Sequence, residues 1–292
     1  MTITKLLFTL LCLGFTNYLL AQEIETKVPY KIGGSTQKAF KETSKVAIGY
    51  FGISQTVQNS ASSTAAGGAA FAKMTVNFGG VDFNAYQALL KEAYDSAVSK
   101  LRGLGYDVMT PEQLQATGEE TYTPDNTPES YKANSNTIVA VNIQPAVSQL
   151  KMDMTPLGSN PMMKKAKNVN ANLMNFVFGA TAVGFDRGSK FGKKAKVAAS
   201  PYLTFGGYLN TYPIGKGGSP AVISVGSKEG AEDFAGEKGL YETEKTDMPW
   251  LGSSRGKYIL DIDQNKYLAL VRGMLMQAVE KSIAKWHEEL ND

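Results

Sequence analysis

Residues 45–51 read Lys45-Val46-Ala47-Ile48-Gly49-Tyr50-Phe51, a short apolar run rich in β-branched and aromatic side chains. Such a run predicts a buried strand. Downstream, Phe83, Tyr86, Leu90, Ala93, Ala97, Leu101 and Leu104 recur at steps of three or four, which puts them on one face of a long helix. Gly103 and Gly105 supply its stop. Tyr106-Asp-Val-Met109 then predicts a second short strand, and Thr110-Pro-Glu-Gln113 a helix start with Thr110 as cap and Pro111 at the first position. A strand, long helix, strand unit implies parallel pairing by a crossover. Further strands are predicted at Asn136–Ile143, Lys196–Leu209 (bent at Pro201 and Gly206-Gly207), Ala221–Val225 and Lys257–Ile262. A C-terminal helix carries Tyr267, Val271, Leu275, Ala278, Ile283 and Trp286 on the helical period, capped by Asp263. The expected fold is α/β: a mixed sheet with packed helices, long loop inserts and a C-terminal helix.

Working outward, residues 54–70 are built from small and polar side chains and predict a flexible loop, or a hairpin that orders only against something else. Phe71–Val81 is expected to be a strand ended by Gly79-Gly80. Residues 22–44 read as a polar leader with little structure of their own, and 117–136 as a polar loop. The expected organisation is a signal peptide at 1–21, a leader at 22–44 and a single elaborated domain at 45–292, with inserts at about 54–81 and 146–195.

The N-terminus carries the export expectation. Lys5 precedes an apolar run from Leu6 to Leu20, and Ala21 puts a small residue before the cut. That order is a secretory signal peptide. Asn17 and a run of about 15 residues argue against a spanning anchor, which needs roughly 20. Cys12 is the only cysteine and lies inside the run after Leu11 rather than at its end. A lipid anchor is therefore not expected, and the mature chain is expected to fold without disulfides. The 43% hydrophobic fraction permits a core that does without them. A net charge of +3 is too small to predict nucleic-acid binding.

The strand at Lys45–Phe51, the helix from Phe83 to Leu101, and Leu104-Gly-Tyr-Asp-Val108 followed by Thr110-Pro-Glu-Gln-Leu114 resemble an exported α/β domain of three envelope families. These are the curli-secretion channel family, the amino-terminal domain of the Tol-Pal periplasmic protein TolB, and the lipoprotein activators of penicillin-binding proteins. The resemblance covers about 70 residues. It implies an assembly, transport or scaffold protein more than an enzyme, and it carries over no functional residue. The curli-channel and activator families are lipid-anchored, whereas this chain lacks the anchoring cysteine. The inserts have no counterpart in the three families.

Candidate chemistry is sparse. His287, the only histidine, could act as a base or metal ligand, but a zinc site draws on several His or Cys; a helix C-terminus also favours such a residue. Asp261-Ile-Asp263-Gln-Asn265 opens like a calcium loop, yet Lys266 and Arg272 stand where Gly and Glu are required. Ser-x-x-Lys recurs at Ser35/Lys38, Ser254/Lys257 and Ser282/Lys285 without the companion motifs of serine acyl-transfer enzymes. Gly215-Lys-Gly-Gly218 and Gly184-Phe-Asp-Arg-Gly-Ser-Lys190 miss phosphate-loop spacing and read as turns. Glu119-Glu120 and the group Glu229, Glu232, Asp233 fall in polar segments, without the burial that makes a general acid. No catalytic, cofactor-binding or metal-binding set is assigned. The inserts remain as candidate hairpins: Ser60–Phe71 with Met74–Phe78, and Val169–Gly184. A membrane hairpin needs about 10 alternating residues per strand, and here the alternation is broken.

The expected function is a non-enzymatic, exported cell-envelope protein in the periplasm or outer membrane, or secreted, acting in binding, assembly or scaffolding. Its expected partner is an envelope protein or a cell-wall component. The alternatives are a homo-oligomeric, pore-forming secretion-channel subunit whose inserts become membrane hairpins, and an exported hydrolase with an unrecognised site.

Overall fold

The run that begins at Lys45 does not stop at Phe51. In the computed structural model, which describes residues 23–65, 70–125, 130–133, 138–152, 159–188, 195–248 and 253–292, it forms a strand of 20 residues, β2 (Lys45–Thr64). The expected signal peptide at 1–21 lies outside the described residues. Ten strands join β2 in one mixed sheet of eleven, and five helices are present among the described residues.

The lower half of β2 pairs in parallel with β9 (Asn172–Gly188), from Val46↔Asn172 to Gln55↔Ala180. The register slips between Ile48 and Tyr50, which makes Gly49 the extra residue of a bulge. A Cβ there would meet Asn175 Oδ1 at 2.8 Å, so a side chain at 49 has no room. β9 continues antiparallel into β10 (Lys196–Tyr212), then β11 (Ala221–Ser227) and β1 (Ile24–Lys27). The upper half of β2 turns back antiparallel into β3 (Phe71–Gly79), which runs parallel to β13 (Ser253–Ile262). β13 pairs antiparallel with the outermost strand, β12 (Ala235–Met248). The other edge of β2 holds β4 (Asp107–Val108) in parallel and β7 (Ile138–Ile143) antiparallel, and β7 pairs β6 (Ser130–Ala133). A separate two-stranded sheet joins β5 (Thr121–Tyr122) to β8 (Gln149–Leu150).

Helices cover both faces of the lower half. α1 (Gly34–Phe40), α2 (Phe83–Gly103) and α5 (Gln264–Asn291) lie on one face. Asp82 caps α2 through the amides of Asn84 and Ala85, at 3.0 and 3.1 Å, and Asp263 caps α5 the same way. The core between them includes Phe51, whose ring meets Tyr94, Phe176 and Phe178 with centroids 5.1–6.0 Å apart. On the opposite face, α3 (Pro111–Gln115) and α4 (Ser159–Val169) close a smaller cluster of Ala47, Met109, Leu114, Met162, Ala166 and Leu173. α3 carries the expected capping box between Thr110 and Gln113.

Three expectations change, and one open alternative is resolved. The leader at 22–44 is structured: Ile24 enters the sheet edge, and Ile32 and Phe40 are buried with it. Phe40 meets Trp286 edge to face at 5.7 Å, so apolar side chains spaced too widely for a periodic pattern still anchor this segment. The stretch at 54–70 resolves as the hairpin alternative, with Ala65 N donating to Ala70 O at 2.9 Å across its turn. The hairpin expected within Val169–Gly184 is instead one strand. α4 ends at Val169, Asn170 turns with φ 54°, and β9 finds its hairpin partner in β10. The polar loop at 117–136 also contributes short strands, β5 and β6.

Phe51 is fully buried. Phe51→Ala should therefore cost about 3–5 kcal/mol, read as a lower urea midpoint with an unchanged slope.

Candidate functional site

β2, β9 and β12 run in one direction, and β3, β10 and β13 return. Three hairpins therefore turn at the same end of the sheet. Pairing of β2 with β9 stops at Gln55 and Ala180. Beyond that level the β9–β10 hairpin leaves the sheet edge and packs across β3 and β12. Its Ala195 and Val197 meet Ala65, Ala70 and Ala72 of the β2–β3 hairpin. The side chains are small because two backbones approach face to face.

Two open grooves flank the β3–β13–β12 strands at this end. One, of 240 Å³, lies toward β10 and is lined by Ala72, Met74, Lys196, Lys245 and Tyr258 among others. The Tyr258 phenol donates to Glu242 at 2.7 Å, a bond that pushes it up to about 12. The other groove, of 470 Å³, covers the opposite face and is lined by Phe71, Lys73, Thr75, Arg255, Lys257 and Glu244 with neighbours. Together the grooves are bordered by five cations, Lys73, Lys196, Lys245, Arg255 and Lys257, and by one carboxylate, Glu244. Two of these cations are matched, Lys257 by Glu244 at 2.6 Å and Lys245 by Asp247 at 3.1 Å, which leaves Lys73, Lys196 and Arg255 as groove cations without an ion pair among the described residues.

The candidates from sequence do not converge. His287 Nδ1 lies 3.0 Å from the Tyr106 hydroxyl at the end of α5, next to Trp286. Asp261 accepts from Lys238 N at 3.1 Å at a strand end, and Asp263 is a helix cap. Ser254 and Lys257, three apart on β13, point to opposite faces, and Lys257 pairs with Glu244 at 2.6 Å. Ser282 is buried and donates to Val279 O, while Lys285 holds Glu288 and Glu289. Ser35 and Lys38 are both exposed on α1. Gly215 and Gly218 press against Ala39 of α1, where an added Cβ would come within 2.6 Å; their role is packing. Gly184–Gly188 lies within β9, and Ser189 and Lys190 fall outside the described residues. Glu120 pairs with Lys151 at 2.7 Å, Glu119 accepts from Asn168, and Asp233 pairs with Lys266 at 3.0 Å. Among the described residues no group of three or more His, Cys, Asp or Glu could hold a metal ion.

The deeply buried ionisable groups among the described residues are phenols. Tyr50 donates to Asn142 Oδ1 at 3.0 Å and accepts from Gln144 Nε2 at 3.3 Å; burial pushes its pKa up to about 12. Burial likewise pushes Tyr94 up to about 12, and raises Tyr86.

Sequence reasoning missed Lys73 and Arg255. They belong to strands far apart in the chain and become neighbours only through the parallel β3–β13 pairing. Comparison with protein-family models, with curated proteins and with solved structures gives no match for the chain.

The raised phenols fix a pH dependence. A phenol free in the unfolded chain ionises near 10, whereas Tyr50 and Tyr94 ionise near 12 when folded. The unfolded state therefore loses protons first, and their contribution, complete below about pH 10, declines from there to about pH 12. Urea midpoints should fall steeply over that window. Tyr50→Phe should be less stable at neutral pH by about 1 kcal/mol and show a shallower alkaline decline.

Proposed function

We propose that the protein is a non-enzymatic, exported component of the bacterial cell envelope that binds or organises another component through its hairpin end. The observation that carries this reading is the convergence of three hairpins on one end of the sheet, where two open grooves are bordered by Lys73, Lys196 and Arg255, none of them in an ion pair among the described residues. The rest of the fold supports it: buried polar groups such as Gln55, Tyr86 and Tyr267 bind one another and tie elements together. A helix-covered sheet under exposed hairpins suits a surface made to be touched. The N-terminal pattern of Lys5, Leu6–Leu20 and Ala21 supports export.

A channel-subunit reading draws on the same two inserts, since the β2–β3 and β9–β10 hairpins project side by side. A strand crossing a bilayer turns its apolar side chains to lipid. In the β2–β3 hairpin, Ala61, Ala72 and Val76 are instead buried within the chain, and the outward alternation carries Lys73, Thr75 and Asn77. The binding reading is therefore preferred.

Expression in a bacterium with two membranes separates the readings. The binding reading expects a soluble periplasmic chain, cut after Ala21, that sizes as a small species when purified alone. A large, heat-resistant oligomer extracted from the outer membrane with detergent would replace it with the channel reading. An uncut chain retained in the cytoplasm would remove both.

A further inference from the structure

The larger groove has a row of charges that its own strands do not balance. In the parallel register of β3 and β13, Lys73 stands directly opposite Arg255, and on the far side of Arg255 β12 presents Thr246. The next row reads Thr75, Lys257, Glu244. There the carboxylate is taken by Lys257 at 2.6 Å. Neither Lys73 nor Arg255 forms an ion pair among the described residues. Like charges directly opposite on a sheet are destabilising, and the register keeps the two stems side by side on one face.

Arg255 is also held in place. Its guanidinium lies over the Phe71 ring, 5.9 Å from the centroid, a cation–π contact that limits its swing. Thr75, whose hydroxyl also bonds Ser60 Oγ at 2.9 Å, and Thr246 line the same groove. A planar fork of donors, a mobile ammonium and flanking hydroxyls suit an oxyanion with several acceptor oxygens. The 470 Å³ groove falls within the roughly 300–1,000 Å³ usual for small-molecule sites, which leaves room for a group attached to the anion.

We propose that the groove formed by Phe71, Lys73, Thr75, Thr246, Arg255 and Lys257 binds a phosphate ester, with Arg255 and Lys73 holding the phosphate oxygens. The phosphate comes either from a soluble ester or from the headgroup of an anionic lipid. The proposal rests on the hairpin end being the binding surface, but its assay uses purified chain and is separate from the fractionation that tests that reading. A chain that fractionates as a free periplasmic species yet binds no phosphate loses this proposal alone.

The test is titration of the purified mature chain with glycerol 3-phosphate by calorimetry, and co-sedimentation with vesicles of phosphatidylglycerol or of phosphatidylcholine, at about 0.15 M salt so that diffuse attraction is screened. Arg255→Gln and Lys73→Gln remove the pair one member at a time. Lys228→Gln removes a cation on the segment after β11, where it pairs with Glu23 at 3.7 Å. The expected result is saturable binding to glycerol 3-phosphate, to phosphatidylglycerol vesicles, or to both. Each groove variant should weaken it by about tenfold or more, and Lys228→Gln should leave it unchanged. Relief of the like-charge contact should also leave the melting temperature of each groove variant, without ligand, equal to or above that of the parent. Binding to the soluble ester but not to vesicles assigns the soluble source, and the reverse assigns the lipid. No saturable binding to either, equal binding to both vesicle types that the groove variants leave intact, or equal loss in all three variants overturns the proposal.

Discussion

The side-chain amide of Gln55 fastens the two halves of this molecule. It is fully buried, and its Oε1 accepts from the Tyr86 phenol of α2 at 3.2 Å and from the Tyr267 phenol of α5. Its Nε2 donates to Thr56 O at 2.8 Å. A buried amide without such partners would cost its full desolvation, so the strand and the two helices are held in one arrangement. Gln55 is also the last residue of β2 that pairs with β9. The level at which the helices are tied down is thus the level at which the sheet divides. Tyr267 continues the chain of contacts to Phe234, with ring centroids 5.7 Å apart, and Phe234 O accepts from Asp263 N where α5 begins. The base of the β12–β13 hairpin is set by the same cluster.

What lies above Gln55 follows from that division. A hairpin cut loose from its sheet neighbour must bury its apolar face elsewhere, and the β9–β10 hairpin does so against β3 and the small residues at its turn. The outer face of β3 and β13 then remains open, and the side chains there are free to be charged. Repulsion between Lys73 and Arg255 is tolerable on an open face because water and salt screen it. Inside the helix-covered half the same pair would demand neutralisation.

Much of the lower half was legible from sequence. The Lys45 strand, the α2 stripe, the Thr110 capping box and the α5 period each depend on neighbours a few residues apart, and all are present. The leader was not, because Ile24 and Phe40 contact residues at the far end of the chain: Ile24 pairs with Ser227, and Phe40 meets Trp286. The stretch at 54–64 lacks a hydrophobic signal because much of it is strand with a small or polar side chain at each step. Its strand identity comes from pairing partners on both edges, β7 and β3. The grooves were illegible for the same reason. Ser254 and Lys257 drew notice as a possible nucleophile pair, yet alternation sends them to opposite faces, and Lys257 joins Lys73 and Arg255 only once β3 and β13 are known to be parallel.

Topology also argues for how such a surface is used. β12 is the outer strand of the sheet, and an outer strand offers unpaired backbone to any passing chain. Here its exposed stretch carries Glu242, Glu244, Lys245 and Asp247 within six residues, with Lys245 and Asp247 paired at 3.1 Å. A dense mixture of charges along an edge opposes strand addition. The edge is thereby closed to backbone pairing, and what this end offers to solvent is the faces of the hairpins, where the side chains differ between the two grooves. Both grooves are bordered by cations; the smaller adds the apolar Ala72, Met74 and Val197, and the larger adds the hydroxyl residues Thr75 and Thr246 and the Lys257–Glu244 pair. Under the proposed binding reading, two unlike faces on one three-stranded unit would let a single hairpin end discriminate by chemistry rather than by shape alone.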